Sequence, residues 1–247
     1  MAGYGLPNEY HLSFVLQESL KSKGHNIEVI NGSVSGSTSS GGLNRAEWTL
    51  SEPGIDLMIL GLGSSSLMML DMKNRGITTK KLIVFGNLPY NISTEILSKW
   101  ILNLKEQPWF ECLILMFQKE VADRIIANFN TKNYGRLSIL TNWRLNVEKI
   151  CDVKPSSFFP VPKVDSSVLF FKPKKNFFKL DNPKNLEKVT RVFFMHRRKM
   201  IKKPYYQLFN GNNNVALKIG IDLNSRPQNL DFETYFKLTK EYEYLRG

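Results

Sequence analysis

Leu82-Ile83-Val84-Phe85-Gly86-Asn87-Leu88-Pro89-Tyr90 is a short apolar run that passes directly into a polar turn closed by proline and tyrosine. The run 82–85 reads as a strand and 94–104 as the helix after it. The same alternation continues with a strand at 112–117 and a helix at 119–129, then strands at 137–140, 146–150 and 167–171. Strands alternating with helices predict an α/β fold whose mainly parallel sheet finishes in antiparallel strands. Such sheets hold ligands in the loops at the carboxyl ends of their parallel strands, which is where Asn87 to Tyr90 fall.

Toward the N-terminus, 9–22 carries Leu12, Val15, Leu16 and Leu20 at helical spacing, Gly24 stops it, and 27–30 reads as a strand. Residues 32–42 hold four glycines and five serines, the composition of a linker or of an anion-binding loop. A buried-strand pattern at 55–60 ends in Gly61-Leu62-Gly63-Ser64-Ser65-Ser66. Beyond Pro173 the chain turns helical and basic. Leu186, Val189 and Phe193 share a helix face that runs into His196-Arg197-Arg198-Lys199, and a last helix spans 232–244. No internal repeat is visible.

A chain of 247 residues, 42% hydrophobic and 23% charged, has the composition of a globular protein and not of a disordered, collagen-like or coiled-coil one. The two cysteines, Cys112 and Cys151, form no C-x-x-C spacing, so neither a disulfide framework nor a metal or haem site is expected. No apolar run reaches membrane-spanning length, and Met1-Ala2-Gly3-Tyr4 lacks the basic and apolar regions of a signal peptide. A soluble cytoplasmic protein without membrane contact is expected. The net charge of +12 is unevenly placed: residues 1–80 carry six basic and seven acidic side chains, so the whole excess follows Lys80. That asymmetry points to a polyanion, with nucleic acid favoured over a membrane; a solvated lysine-rich surface is the bland alternative.

The chemistry of Asn87-Leu88-Pro89-Tyr90 suits an exocyclic amine. The nitrogen of an aminopurine is a poor nucleophile, because its lone pair is delocalised into the ring. An enzyme that alkylates it must accept hydrogen bonds from the NH2 group and hold the base stacked. The Asn87 side-chain oxygen and the Leu88 carbonyl can accept, Pro89 fixes the turn, and Tyr90 offers a stacking face. The four letters alone also suit an ordinary strand-to-helix turn.

Four blocks in order, Asn87-Leu88-Pro89-Tyr90-Asn91-Ile92-Ser93, Gln118-Lys119-Glu120-Val121-Ala122-Asp123-Arg124, Tyr134-Gly135-Arg136-Leu137-Ser138 and Phe158-Phe159-Pro160-Val161-Pro162-Lys163-Val164-Asp165-Ser166, resemble the ribosomal RNA adenine N6,N6-dimethyltransferases. Arg197-Arg198-Lys199, Gly220-Ile221-Asp222 and Arg226-Pro227 are similar to that family's small C-terminal domain. The resemblance implies a Rossmann-like methyltransferase sheet, S-adenosylmethionine as cofactor and small-subunit ribosomal RNA as partner of a monomeric enzyme. It places Asn87 against both the cofactor and the target amine, with Leu88 and Pro89 shaping the turn. Tyr90 and Phe158 would cover the two faces of the adenine, and Lys163, Arg197, Arg198 and Lys199 would meet RNA phosphates. The alternatives are a core aromatic for Phe158 and a solvated face for the cations. Tyr134 and Glu120 read as packing and local hydrogen-bonding residues.

The first third departs from that pattern. The family's early glycine-rich loop and its two acidic partners for the ribose and adenine of the cofactor have no counterpart, and Gly61-Leu62-Gly63 sits too near Asn87 to replace the loop, since one βαβ unit takes about 30 residues. Residues 2–72 instead resemble the SGNH-type esterases and lysophospholipases, through Ala2-Gly3-Tyr4-Gly5-Leu6-Pro7, Gly24-His25-Asn26-Ile27-Glu28-Val29-Ile30-Asn31, Val34-Ser35-Gly36-Ser37-Thr38, Gly41-Gly42-Leu43 and Trp48-Thr49-Leu50 ahead of Asp56. The nucleophilic serine of that family has no place here, its asparagine donor falls on Ser65, and no histidine has an aspartate three residues before it. The expected architecture is therefore an SGNH-hydrolase-like fragment at 1–79, the later part of a partial methyltransferase sheet at 80–172 and a small helical RNA-binding domain at 173–247. Three functions follow: a dimethyltransferase whose cofactor-binding first half is missing, a non-catalytic RNA-binding module, or an esterase fragment.

Overall fold

The computed structural model of the chain describes residues 7, 9, 11–26, 28–30, 82–158 and 161–246. The chain divides into two compact units, residues 1–80 and 81–247.

In the first unit the expected helix forms as α1 (Leu12–Ser22). It ends as the sequence predicts: Gly24 takes φ +80°, and the His25 amide donates back to the Leu20 carbonyl at 3.0 Å. Residues 28–30 are not a strand. The Val29 amide donates to the Gln17 side chain, which answers locally the need a sheet neighbour would have met. The glycine-serine stretch, the strand at 55–60 and most of the esterase-like blocks lie outside the described residues.

The second unit is built on a four-stranded mixed sheet in the order β1-β2-β4-β3, formed by β1 (Leu82–Asn87), β2 (Phe110–Gln118), β3 (Leu145–Val153) and β4 (Ser166–Pro173). β1 and β2 run parallel with Asn87 opposite Met116, whereas β4 is antiparallel to both β2 and β3. The antiparallel finish is as the alternation predicts, but among the described strands one pair is parallel and two are antiparallel, so the sheet is mixed and not mainly parallel. β2 lies between two strands and is the hydrophobic centre: Leu113, Leu115 and Phe117 are fully buried, with Leu169 and Phe171 of β4 beside them. Burying side chains of this size is worth about 1.5–3 kcal/mol each relative to leaving them in water. α2 (Ser93–Leu102) places Ile96, Leu97, Trp100 and Ile101 in the core, and α3 (Lys119–Ile125) follows β2 without a loop.

Residues 137–140, expected as a strand, belong to α4 (Arg136–Arg144). The helix is buried nearly all round, from Leu137 through Leu140 to Trp143 and Arg144, and such an apolar run has the same appearance in sequence as a buried strand. Its start is set by Ser138, whose hydroxyl accepts from the Gly135 amide and donates to the Arg124 carbonyl. The helix expected over 119–129 stops at Ile125, and the chain turns through Asn130 at φ +65°, the left-handed conformation that asparagine tolerates better than most residues.

After β4 come α5 (Pro183–Phe194), α6 (Lys202–Phe209), α7 (Asn213–Ile219) and α8 (Phe232–Tyr244). Leu186, Val189 and Phe193, the predicted face, are fully buried with Tyr205, Tyr235 and Leu238. α5 starts at Asn182, whose side chain accepts from Lys184 N, followed by Pro183 at the first helical position. The Glu243 carboxylate of α8 accepts from the Asp181 and Asn182 amides at 3.0 and 2.8 Å, a negative charge against the N-terminal end of α5. The chain on either side of Pro173 shares a core. Trp143 donates to the Phe178 carbonyl, and the Tyr134 ring meets Phe194 and Phe232 edge-on. Tyr134 is fully buried and its hydroxyl has no hydrogen-bond partner among the described residues; burial holds it un-ionised, assisted by the charge of Asp231. Replacing a buried, unbonded hydroxyl with hydrogen removes only a desolvation penalty. Tyr134→Phe is therefore expected to leave the unfolding midpoint unchanged or raise it in a denaturant titration, by up to about 1 kcal/mol. A clear loss of stability would show that the hydroxyl has a partner.

Candidate functional site at the carboxyl end of the parallel strands

The site begins with a close approach of two strands. A Cβ on Gly86 would stand 2.8 Å from Leu115 Cδ2, so the last turn of β1 reaches its position because residue 86 has no side chain. The chain then leaves the sheet. Leu88 points into the core at 2% exposure, and the Ile92 amide donates to the Pro89 carbonyl at 3.1 Å. Ser93 Oγ donates to the Tyr90 carbonyl as α2 starts. With Leu88 as the plug, Asn87 is left exposed at the strand end and Tyr90 half-buried.

The second and fourth sequence blocks meet here. The Tyr90 hydroxyl is 2.7 Å from Ser166 Oγ, and Ser166 is fully buried and pairs with Gln118 across the β2–β4 ladder. One residue on, the Lys119 amide donates to the Asp165 carbonyl at 2.9 Å. Asp152 at the end of β3 then binds Lys149 at 2.7 Å, accepts from Ser167 at 2.6 Å and lies 3.2 Å from Lys119. The Lys149 ammonium above all, with Ser167 and Lys119, holds the Asp152 carboxyl well below the usual carboxylate range. The ends of all four strands are thereby cross-linked by polar bonds around an exposed asparagine and the ring of Tyr90, a fixed platform of the kind that base recognition needs.

The other residues named from the sequence fall into two places. Phe158 follows a 3-10 turn (Pro155–Ser157) on the β3–β4 connection, half-buried, its amide donating to the Pro155 carbonyl. Lys163 is exposed on the same connection, whose far end is the Asp165-Ser166 pair bonded to Lys119 and Tyr90. Arg197, Arg198 and Lys199 stand elsewhere, in the turn after α5 rather than on a helix. Arg197 is half-buried and donates to the Thr131 carbonyl at 3.2 Å, while Arg198 and Lys199 are exposed. Ser166 and Asp152 were not singled out from the sequence. Ser166 closes a quoted block, but nothing in the pattern pairs it with a tyrosine 76 positions earlier.

Comparison with known proteins identifies the arrangement. A family model described as ribosomal RNA adenine dimethylase matches residues 9–244. The chain belongs to that family. It is 66% identical over 179 residues to the ribosomal RNA small subunit methyltransferase A of Pelagibacter ubique (strain HTCC1062), covering 72% of this chain and 68% of that one. To the protein of the same name from Nitrobacter winogradskyi it is 37% identical over 170 residues, 69% of this chain and 58% of the relative. Among solved structures, a dimethyladenosine transferase from Plasmodium falciparum superposes with a TM-score of 0.57 at 27% identity, covering 81% of this chain and 86% of that one. The mixed sheet with its helices is thus the methyltransferase α/β fold of this family. The alignments span between half and about two thirds of the length of the curated relatives. Among the described residues no helix is long and apolar enough to cross a membrane.

Proposed function

We propose that the chain is an S-adenosylmethionine-dependent dimethyltransferase acting on N6 of adenines in small-subunit ribosomal RNA. The observation that carries this is the Asn87 to Tyr90 turn, exposed at the end of a parallel strand and tied through Tyr90 to Ser166. Asn87 Oδ1 and the Leu88 carbonyl accept the two hydrogens of the target amine, which draws the nitrogen lone pair out of the ring. Tyr90 stacks on one face of the base and Phe158 covers the other. The cofactor, when bound, supplies a methyl group on a positive sulfonium; the exposed Asn87 amide, with both a donor and an acceptor, suits its side of the site. Catalysis rests on positioning and on hydrogen bonds to the amine. Lys163, Arg198 and Lys199 contact RNA phosphates. As a maturation enzyme of the small ribosomal subunit, the chain works as a cytoplasmic monomer.

Its N-terminal part, residues 2–72, is in this reading an esterase-like fragment without hydrolytic activity, fused near residue 80. The charge switch after Lys80 and the unit boundary at the same place support that joint. A second reading, an RNA-binding module without catalysis, is favoured by the missing glycine-rich loop and acidic partners. The test is transfer of radiolabelled methyl from S-adenosylmethionine to unmethylated small-subunit RNA, with dimethyladenosine measured after digestion. Dimethyladenosine production is expected. RNA binding without transfer overturns the enzymatic reading in favour of the binding module, and steady turnover of a chromogenic acetate ester overturns the inert reading of residues 2–72.

A further inference from the structure

One terminal nitrogen of Arg197 donates to the Thr131 carbonyl, and the loop it reaches is held from a second direction as well. The Asn130 amide donates to the Gln228 carbonyl at 2.8 Å, and Asn229 Nδ2 donates to Asn130 Oδ1 at 2.9 Å. Inside the loop the Thr131 hydroxyl donates to the Asn128 carbonyl at 2.6 Å. A turn with Asn130 in the left-handed region is therefore fixed by three hydrogen bonds from two separate elements, the 195–199 turn and the 3-10 turn (Pro227–Asn229). All five residues of this loop, 128–132, are exposed, among them Phe129 at 44% and Lys132. Because Arg197 touches Thr131, the exposed Arg198 and Lys199 belong to the same patch of surface, flanked by Met195 at 64% and Met200 at 58% exposure. Lys132, Arg198 and Lys199 have no carboxylate partner among the described residues, unlike Lys99, Lys179 and Lys218.

One exposed phenylalanine means little, but an exposed aromatic on a preorganised loop that also carries Lys132 and is bonded to the turn of Arg198 and Lys199 has the makeup of a single-stranded nucleic-acid platform: a ring face for a base and cations for the strand. We propose that residues 128–132 and 195–200 form one contact surface for single-stranded RNA. Phe129 stacks on an unpaired base, Lys132, Arg198 and Lys199 meet the backbone, and Arg197 acts as the positioning residue that joins the two segments. The inference rests on the RNA-directed reading above, extends it to Phe129 and Lys132, and reassigns Arg197 from phosphate contact to scaffold. A duplex is the poorer fit, since its bases are already stacked.

The experiment is fluorescence anisotropy of the full chain with a labelled adenine-rich single-stranded RNA and with a blunt RNA duplex of equal length, across a salt titration. Phe129→Ala is expected to weaken single-strand binding about tenfold or more with an unchanged salt slope, and to leave duplex binding unaltered. Lys132→Ala is expected to flatten the single-strand salt slope by about 0.7. Arg197→Lys, which keeps the charge but loses the planar fork, is expected to reproduce part of the Phe129→Ala loss. Binding within twofold of the parent for both Phe129→Ala and Lys132→Ala, with a clear loss for Arg198→Ala/Lys199→Ala, overturns the proposal and leaves the RNA reading standing. Equal losses of Phe129→Ala on duplex and single strand overturn the stacking role, and a parent chain that binds neither RNA overturns both readings together.

Discussion

Asn87→Ala is expected to lower methyl transfer about 100- to 1,000-fold while leaving the thermal unfolding midpoint and RNA affinity where they were. The separation follows from where the residue sits. Asn87 ends β1 opposite Met116, its side chain is exposed, and none of the polar bonds closing the strand ends passes through it. The turn is held instead by buried Leu88, by the Ile92 amide on the Pro89 carbonyl and by Tyr90 on Ser166. Removing the amide therefore takes away the acceptor proposed for the target amine and little else. Asn87→Asp keeps an acceptor but loses the NH2 donor and brings a negative charge; it is expected to fall between parent and alanine. Single-turnover methylation with saturating RNA, alongside scanning calorimetry, measures both halves. Transfer within fivefold of the parent in Asn87→Ala removes Asn87 from the reaction, and a matching fall in stability makes it a structural residue.

What could be read in advance follows the range of the interactions involved. The β1–turn–α2 unit is local: an apolar run, a glycine where β1 approaches β2, then a proline turn, and each feature acts within a few residues of itself. The face of Leu186, Val189 and Phe193 was equally plain, because a helix of 3.6-residue period concentrates its apolar side chains on one stripe. α4 was misread because it has almost no polar face, so periodicity had nothing to report. The site's cross-links were hidden for another reason. Tyr90 to Ser166 and Lys119 to Asp152 join segments distant in sequence through single polar atoms, and no pattern of hydrophobicity encodes which serine meets which tyrosine. Arg197 was hidden in the same way: a basic triplet in the sequence does not tell that one terminal nitrogen of its first arginine donates to the Thr131 carbonyl, 66 positions earlier.

Arg144→Ala is expected to be among the most damaging single changes to stability, through a side chain that no pattern in the chain marks out. Arg144 is 4% exposed and forms no salt bridge among the described residues. Its two terminal nitrogens donate to the Leu104 and Lys105 carbonyls at 2.6 and 2.7 Å, and the guanidinium carbon sits 3.8 Å from the centre of the Phe177 ring. Those carbonyls follow the C-terminal end of α2, where a cation is favoured by the helix dipole and where carbonyls would otherwise be left unsatisfied. Burial pushes the guanidinium pKa down, an effect that nearby Glu106 partly offsets. One side chain thus fastens α2, which carries the Asn87 turn at its other end, to α4 and to the chain beyond β4. Alanine deletes two charge-assisted bonds, strands two carbonyls and opens a void beneath Phe177, which together cost about 2–4 kcal/mol. Lysine can satisfy one carbonyl but not both, because a point charge lacks the planar fork, so about half of the loss is expected to return. Denaturant unfolding of the parent, Arg144→Ala and Arg144→Lys gives the order directly. An alanine variant within about 0.5 kcal/mol of the parent shows that the two carbonyls find other donors and that α2 is held elsewhere. At a temperature where the alanine variant stays folded, its methyl transfer is expected to remain near the parent's, because nothing at Asn87, Tyr90 or Ser166 has been touched: the opposite profile to Asn87→Ala, in which stability survives and chemistry does not.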